Sequence, residues 1–179
     1  MNRKAKKILD RYRGKRAGVF IDDANMFHAQ REAGWFIDWE RFKNFLEANF
    51  KVKFIKHYNE LFAKNLQRIG LEVIKKPLKK IYLDHTKTKF KYKCDFDAEI
   101  GFDIGINASK FDLAIIVSGD SDFVCLARRL PEYRKHFLMV CFKFKAPWEV
   151  YRIHHLFVEH IRHLIEKEKE KKRTKNLAD

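Results

Sequence analysis

Two short, strongly apolar runs end in carboxylates, and this pairing constrains the chain more than any other feature. Ala17–Asp22 (AGVFID) stops at Asp22 and Asp23, and Phe111–Val117 (FDLAIIV) runs into Ser118-Gly119-Asp120-Ser121-Asp122-Phe123. Runs of this length and composition read as strands buried on both faces. Val52–Tyr58, Leu71–Leu78 and Phe137–Phe142 supply three more strands, with Pro77 near the end of the second of these. Helical spacing separates them. Asp38 is placed to cap a helix through about Ala48, with Trp39, Phe42, Phe45 and Leu46 on one face. A short helix through Leu66 and Ile69 closes at Gly70, and helices follow over Phe96–Ala108 and Asp122–Leu130. Pro147–Lys172 is expected to be mostly helical. Strands alternating with helices predict an α/β domain of three layers: a mainly parallel five-stranded sheet, order 3-2-1-4-5, with helices on both faces.

The 179 residues suit one domain. Residues 17–165 are expected to form it, preceded by a basic helix or arm (1–16) and followed by a charged helix end and tail (166–179). Three cysteines without CxxC spacing argue against a disulfide framework or a zinc site, and Cys125 and Cys141 fall on apolar segments that suit a core. The first residues are basic rather than signal-like, and no apolar run approaches a membrane span. A soluble, cytoplasmic protein is expected.

Net charge is +15, and it is concentrated. Residues 1–16 and 75–93 each carry eight Lys or Arg against one Asp, so the remaining chain nets only +1. Two dense basic segments suit a polyanion such as nucleic acid. A membrane surface fits less well, because neither segment shows a clear amphipathic apolar face in the sequence. Simple solubility is the plainer alternative.

In a doubly wound sheet, ligands bind beyond the carboxyl ends of strands where the strand order reverses. With the first and fourth strands adjacent, Asp22, Asp120 and Asp122 converge on one crevice. Converging carboxylates repel, and a divalent cation that prefers oxygen, Mg2+ or Mn2+, relieves that repulsion and bridges to phosphate. Helix capping is the competing explanation for each Asp taken alone. Two of the chain's three serines, Ser118 and Ser121, also fall in this hexapeptide. In the next acidic segment, Asp95, Glu99 and Asp103 fall at i, i+4, i+8 and are expected to stripe a helix face toward lysines, while Asp97 turns to the crevice.

With these blocks in view, the chain resembles the NYN domains of the LabA-like type, within the PIN-like nuclease superfamily. The resemblance is carried by Ile21-Asp22-Asp23-Ala24-Asn25, Lys75-Lys76-Pro77-Leu78-Lys79, Phe96-Asp97-Ala98-Glu99-Ile100 with Asp103 after it, and Ser118–Phe123. It spans roughly residues 17–165. It implies a PIN-like fold and a metal-dependent ribonuclease site, in which Asp22, Asp97, Asp120 and Asp122 bind the metal. Asn25 and Ser118 then orient groups at the strand ends, and Asp103 matches a family acid that the helical wheel places behind the site. The implied reaction is endonucleolytic hydrolysis of RNA phosphodiester bonds with Mg2+ or Mn2+.

Single-stranded RNA is expected along Thr86–Lys93, where Lys87, Lys89 and Lys91 alternate with Phe90 and Tyr92. Lys76, Lys79 and Lys80 lie just upstream. A hairpin with its aromatics in the core and its lysines merely solvated is the competing reading. The absence of GxSxG, P-loop and GxGxxG patterns argues against a serine hydrolase and against dinucleotide or P-loop chemistry. Asp22-Asp23 lacks the Asp-x-Asp spacing of aspartyl phosphotransferases. His28 is placed near the crevice, whereas His154, His155, His160 and His163 read as surface or packing residues. A non-catalytic RNA-binding or regulatory module is the alternative function. The sequence leaves a homodimer open.

Overall fold

The computed structural model describes residues 3–59, 63–77, 79–93 and 95–168. Its centre is a six-stranded sheet in the order β3-β2-β1-β6-β7-β8, with every neighbouring pair parallel. In chain order the elements begin with α1 (Arg3–Tyr12), β1 (Arg16–Asp22), α2 (Asp23–Ala33), α3 (Trp39–Asn49) and β2 (Lys51–Tyr58). There follow α4 (Ala63–Arg68), β3 (Glu72–Ile74), and a separate antiparallel hairpin of β4 (Lys79–Tyr82) and β5 (Phe90–Lys93). The chain then runs through α5 (Asp97–Ile106), β6 (Leu113–Val117), α6 (Val124–Arg129), β7 (His136–Cys141), β8 (His155–Phe157) and α7 (Arg162–Ile165).

The expected α/β architecture is therefore present, with one correction: the sheet has a sixth strand at its β7 edge. That strand lies inside the stretch expected to be mostly helical. Residues 148–152 and 158–161 are instead single 3-10 turns around β8, and α7 is only one turn long. A second helix, α2, stands where no element was expected. Gln30 lies on its buried face, donates to the Met26 carbonyl and accepts from the Ile37 backbone N–H.

Alternation along β1 divides the core in two. Ala17, Val19 and Ile21 face a cluster completed by Leu9, Met26, Phe42 and Ile165 from α1, α2, α3 and α7. Phe20 faces the other cluster, with Ile100 and Ile104 of α5 and Val124 of α6. Both layers bury a central sheet, so its strands read as near-continuous apolar runs. Gly18 is a requirement of this packing. A Cβ there would sit 2.7 Å from the Phe54 ring and 2.8 Å from that of Phe111, and the β1–β2 register shifts between Ala17 and Gly18.

The caps follow the local sequence. Asp38 accepts from the backbone N–H groups of Glu40 and Arg41, both at 3.0 Å, and so starts α3. Gly70, with φ of 83°, closes the turn after α4. The basic N-terminal segment is a helix with an apolar face after all. Ala5, Leu9 and Tyr12 fall at i, i+4, i+7 and are buried against the core, while its Lys and Arg remain outside. Cys141 is buried as expected, but Cys125 is exposed and donates to the Asp122 carbonyl. Among the described residues, no helix is long and apolar enough to cross a membrane.

Candidate metal centre

The strand order reverses between β1 and β6, and the two strands deliver their carboxylates to the same end of the sheet. Ile21 pairs with Val117, so Asp22 and Ser118 emerge side by side. Asp22 is only 7% exposed. One of its oxygens accepts the Asn25 backbone N–H at 3.2 Å, and the other accepts the Ser118 hydroxyl at 2.9 Å. Ser118 Oγ in turn accepts the Asp120 backbone N–H at 3.1 Å. Asn25 Oδ1 accepts the Gly119 N–H at 2.8 Å, closing a second stitch between the strand ends. A side chain at position 119 would crowd this bond, because its Cβ would lie 3.3 Å from Asn25 Oδ1.

Capping and clustering occur together. Asp22 caps α2, and Asp120 Oδ1 accepts the Asp122 N–H at 2.9 Å to start the 121–123 turn. Those caps hold the acidic side chains in place. Carboxylate oxygens of Asp97, Asp120 and Asp122 all lie within 4.8 Å of one another. Asp97 comes from the first turn of α5, across the crevice from β6. Asp22 stands behind this trio, with both oxygens hydrogen-bonded to the protein.

The electrostatics follow from that crowding. Burial, a hydrogen bond with Asp95, and the charges of Asp95, Asp120 and Asp22 push the Asp97 carboxyl up to about 7. Burial also raises the Asp22 carboxyl, opposed by the Asn25 N–H and the Ser118 hydroxyl. The donor set fits a hard divalent cation. It offers oxygens only, and their mutual spacing suits ligands that each lie about 2.0–2.6 Å from one ion.

Asp95 belongs here too, and the helical wheel misplaces it. The helix begins at Asp97, so Asp95 lies before it and its carboxylate accepts the Asp97 N–H at 3.1 Å. Its place two residues before Asp97 in the sequence is the only signal. Glu99 and Asp103 do meet lysines. Lys76 Nζ is 2.6 Å from Glu99, and Lys56 Nζ is 3.0 Å from Asp103. Asp103 also accepts the Tyr58 hydroxyl at 2.6 Å, so it ties β2 to α5 behind the metal centre.

Asp23 points away, toward His57 of β2 (3.4 Å) and Asn59, whose amide donates to it at 2.7 Å. His28 is exposed and stacks edge-on with Phe27, making no hydrogen bond to the carboxylates among the described residues. His154 bonds the Tyr12 hydroxyl, and His155 and His160 pack on Phe157.

The lysine-rich segment is a hairpin in which Lys80 pairs with Tyr92, Ile81 with Lys91 and Tyr82 with Phe90. Its turn is organised by Asp84, which accepts from the Thr86 and Thr88 hydroxyls and the Lys89 N–H. Phe90 and Tyr82 are each 44% exposed, so these two rings are not core. They are instead covered by cations: Lys80 Nζ is 3.9 Å from the Phe90 ring centre, and Lys87 is 5.8 Å from that of Tyr82. Lys79, Lys87 and Lys89 are exposed. Lys76 is engaged elsewhere, since it holds Glu99 and the Asp95 carbonyl and thereby braces the start of α5.

The NYN domain family profile matches residues 16–159, which is most of the chain. The chain belongs to the NYN domain family. It is similar to the low amplitude and bright protein LabA of Synechococcus elongatus, 27% identical over 139 residues, covering 72% of this chain and 75% of that one. Its fold also matches the crystal structure of a protein of unknown function from Vibrio parahaemolyticus. That match has a TM-score of 0.66 at 23% identity and covers 82% of this chain and 94% of the other. The NYN match takes in both strand ends, the lysine hairpin and α5, so every acid of the cluster lies within it.

Proposed function

We propose that this NYN domain is a metal-dependent endoribonuclease acting on single-stranded RNA. One observation carries the reading: Asp97 from the start of α5, and Asp120 and Asp122 from the turn after β6, bring oxygens within 4.8 Å of one another at the switch point of the sheet. A shared arrangement of like charges is costly without a counter-charge, and the NYN resemblance implies that the counter-charge is Mg2+ or Mn2+. Asp97, Asp120 and Asp122 would hold it, with Asp22 adding negative charge from behind. Bound there, the ion would neutralise charge on the phosphodiester and make a water acidic enough to attack it.

The protein's own groups do the positioning. Asn25 and Ser118 lock the two strand ends together, which fixes the carboxylates before substrate arrives. Lys79, Lys87 and Lys89 of the hairpin bind phosphates, and Lys91 and Tyr92 lie on the same hairpin in register with Ile81 and Lys80. Phe90 and Tyr82 offer aromatic faces to bases once Lys80 and Lys87 move to the backbone of the strand.

The reading is tested by incubating end-labelled single-stranded RNA with the protein in Mn2+, Mg2+ or EDTA. Internal cutting that EDTA abolishes supports it. RNA that is bound by folded protein but left intact in both metals assigns the domain to RNA binding without catalysis.

A further inference from the structure

A second cavity, unrelated to the carboxylates, lies at the opposite end of the strands. It occupies about 700 Å3, between α6, the segment 147–154 and the end of α1, with the start of β7 as its floor. His136, on that floor, pairs with Leu113, the first residue of β6, whereas Asp120 follows Val117, the last. The two sites are therefore separated by the full length of β6, about 13 Å at 3.3 Å per residue.

Its lining is cationic. Arg11, Arg128, Arg134, Lys135 and Arg152 face one carboxylate, Glu149. None of the four arginines forms an ion pair with a described residue. They converge from separate elements, α1, α6, the turn before β7 and the turn before β8, so the fold gathers the charge, and only Arg11 comes from a basic run in the sequence. His136 and His154 add imidazoles whose pKa values are lowered by partial burial and by nearby cations, Arg11 among them. Trp148, 61% exposed, stands at the rim with the Arg152 guanidinium 4.5 Å from its ring centre.

Like charges gathered in a concave site repel one another, and a bound anion relieves that repulsion. Guanidinium groups suit phosphate because their planar N–H forks match its oxygens in pairs. The volume falls in the range of small-molecule sites, about 300–1,000 Å3. We infer that this cavity binds an oligophosphate anion, either free or carried by a nucleotide whose base stacks at Trp148. Its occupancy is independent of the metal centre and of the RNA reading above.

The test uses the full chain, titrated calorimetrically with tripolyphosphate, ATP and adenosine, and the variant Arg11→Ala/Arg128→Ala. Both replaced residues are exposed helical positions, where alanine preserves the helix. Saturable binding of tripolyphosphate or ATP, weakened at least about 10-fold in the variant, is the expected result, with adenosine binding far more weakly than ATP. ATP binding at least about 10-fold tighter than tripolyphosphate identifies a nucleotide site, and equal binding identifies the free anion. No binding of either anion by folded protein overturns the inference, as does equal binding by wild type and variant. A short RNA that binds through Arg11 and Arg128 when neither anion does so also overturns it.

Discussion

The Ser118 hydroxyl donates to the Asp22 carboxylate at 2.9 Å while accepting the Asp120 backbone N–H, so one small side chain links the two acid-bearing strand ends. Ser118 is fully buried and Asp22 nearly so. Ser118→Ala would leave one Asp22 oxygen and the Asp120 N–H without their partner. A loss of about 1–3 kcal/mol is expected, read as a lower urea midpoint at unchanged slope. Ser118→Thr, which keeps the hydroxyl, should recover part of it if the added methyl is tolerated.

Asp103 gives a contrasting prediction. Its carboxylate is shared by the ammonium of Lys56, itself largely buried, and the Tyr58 hydroxyl. Asp103→Ala leaves Lys56 only the more exposed Glu72, 3.3 Å away, and takes the acceptor from the Tyr58 hydroxyl, so about 1–3 kcal/mol of stability should be lost. Affinity for Mn2+, measured on the folded fraction, should change far less than in Asp97→Asn. Equal effects on metal affinity would place Asp103 in the metal centre itself.

The hairpin separates two kinds of lysine. Replacing Lys87 and Lys89 with Ala should weaken RNA binding and flatten its salt dependence. On a single strand, the slope of log K against log salt should fall by about 0.7 for each phosphate that a lysine no longer neutralises. Lys76→Ala should act mainly through α5, lowering stability because Glu99 and the Asp95 carbonyl lose their partner. An unchanged salt slope in the Lys87/Lys89 variant would make those lysines solvated surface only.

His57 makes stability depend on pH. It is fully buried, against Trp39 and with Asp23 3.4 Å away, and neither ring nitrogen makes a hydrogen bond to a described residue. Burial depresses its pKa to about 3. The folded state therefore keeps it neutral while the unfolded chain takes up a proton below about 6.5. Its contribution is fully present above that pH and is lost as pH falls toward 3, with a slope no steeper than about 1.4 kcal/mol per unit. His57→Phe should flatten the stability profile between pH 6 and pH 4, and an unchanged profile would show that the imidazole is accommodated in its charged form beside Asp23.

The strands that carry the site are legible because burial on both faces makes them almost wholly apolar: β1 and β6 stand out, and their acids follow directly. Three features are not. The period of α2 is hidden because its buried face is Met26, Ala29 and the polar Gln30. The edge strand β8 has three residues, too few to show alternation, and two of the neighbouring histidines give it a surface character. Asp95 is misplaced because helical spacing, extended two residues ahead of the true start of α5, puts it on the wrong face. In the hairpin, the sequence shows alternating lysines and aromatics, but only strand pairing shows that Lys80 comes to lie over Phe90.

If the carboxylate cluster cuts RNA, Asp120→Asn should remove the cutting while leaving the fold intact. Asparagine keeps an oxygen to accept the Asp122 N–H, so the turn is preserved while the charge is removed. Single-turnover cleavage of labelled single-stranded RNA in Mn2+ should fall at least about 100-fold, since the ion's contribution is worth several kcal/mol. Thermal unfolding should show an intact fold. Cleavage by Asp120→Asn at the wild-type rate, with the same dependence on Mn2+, would contradict the account.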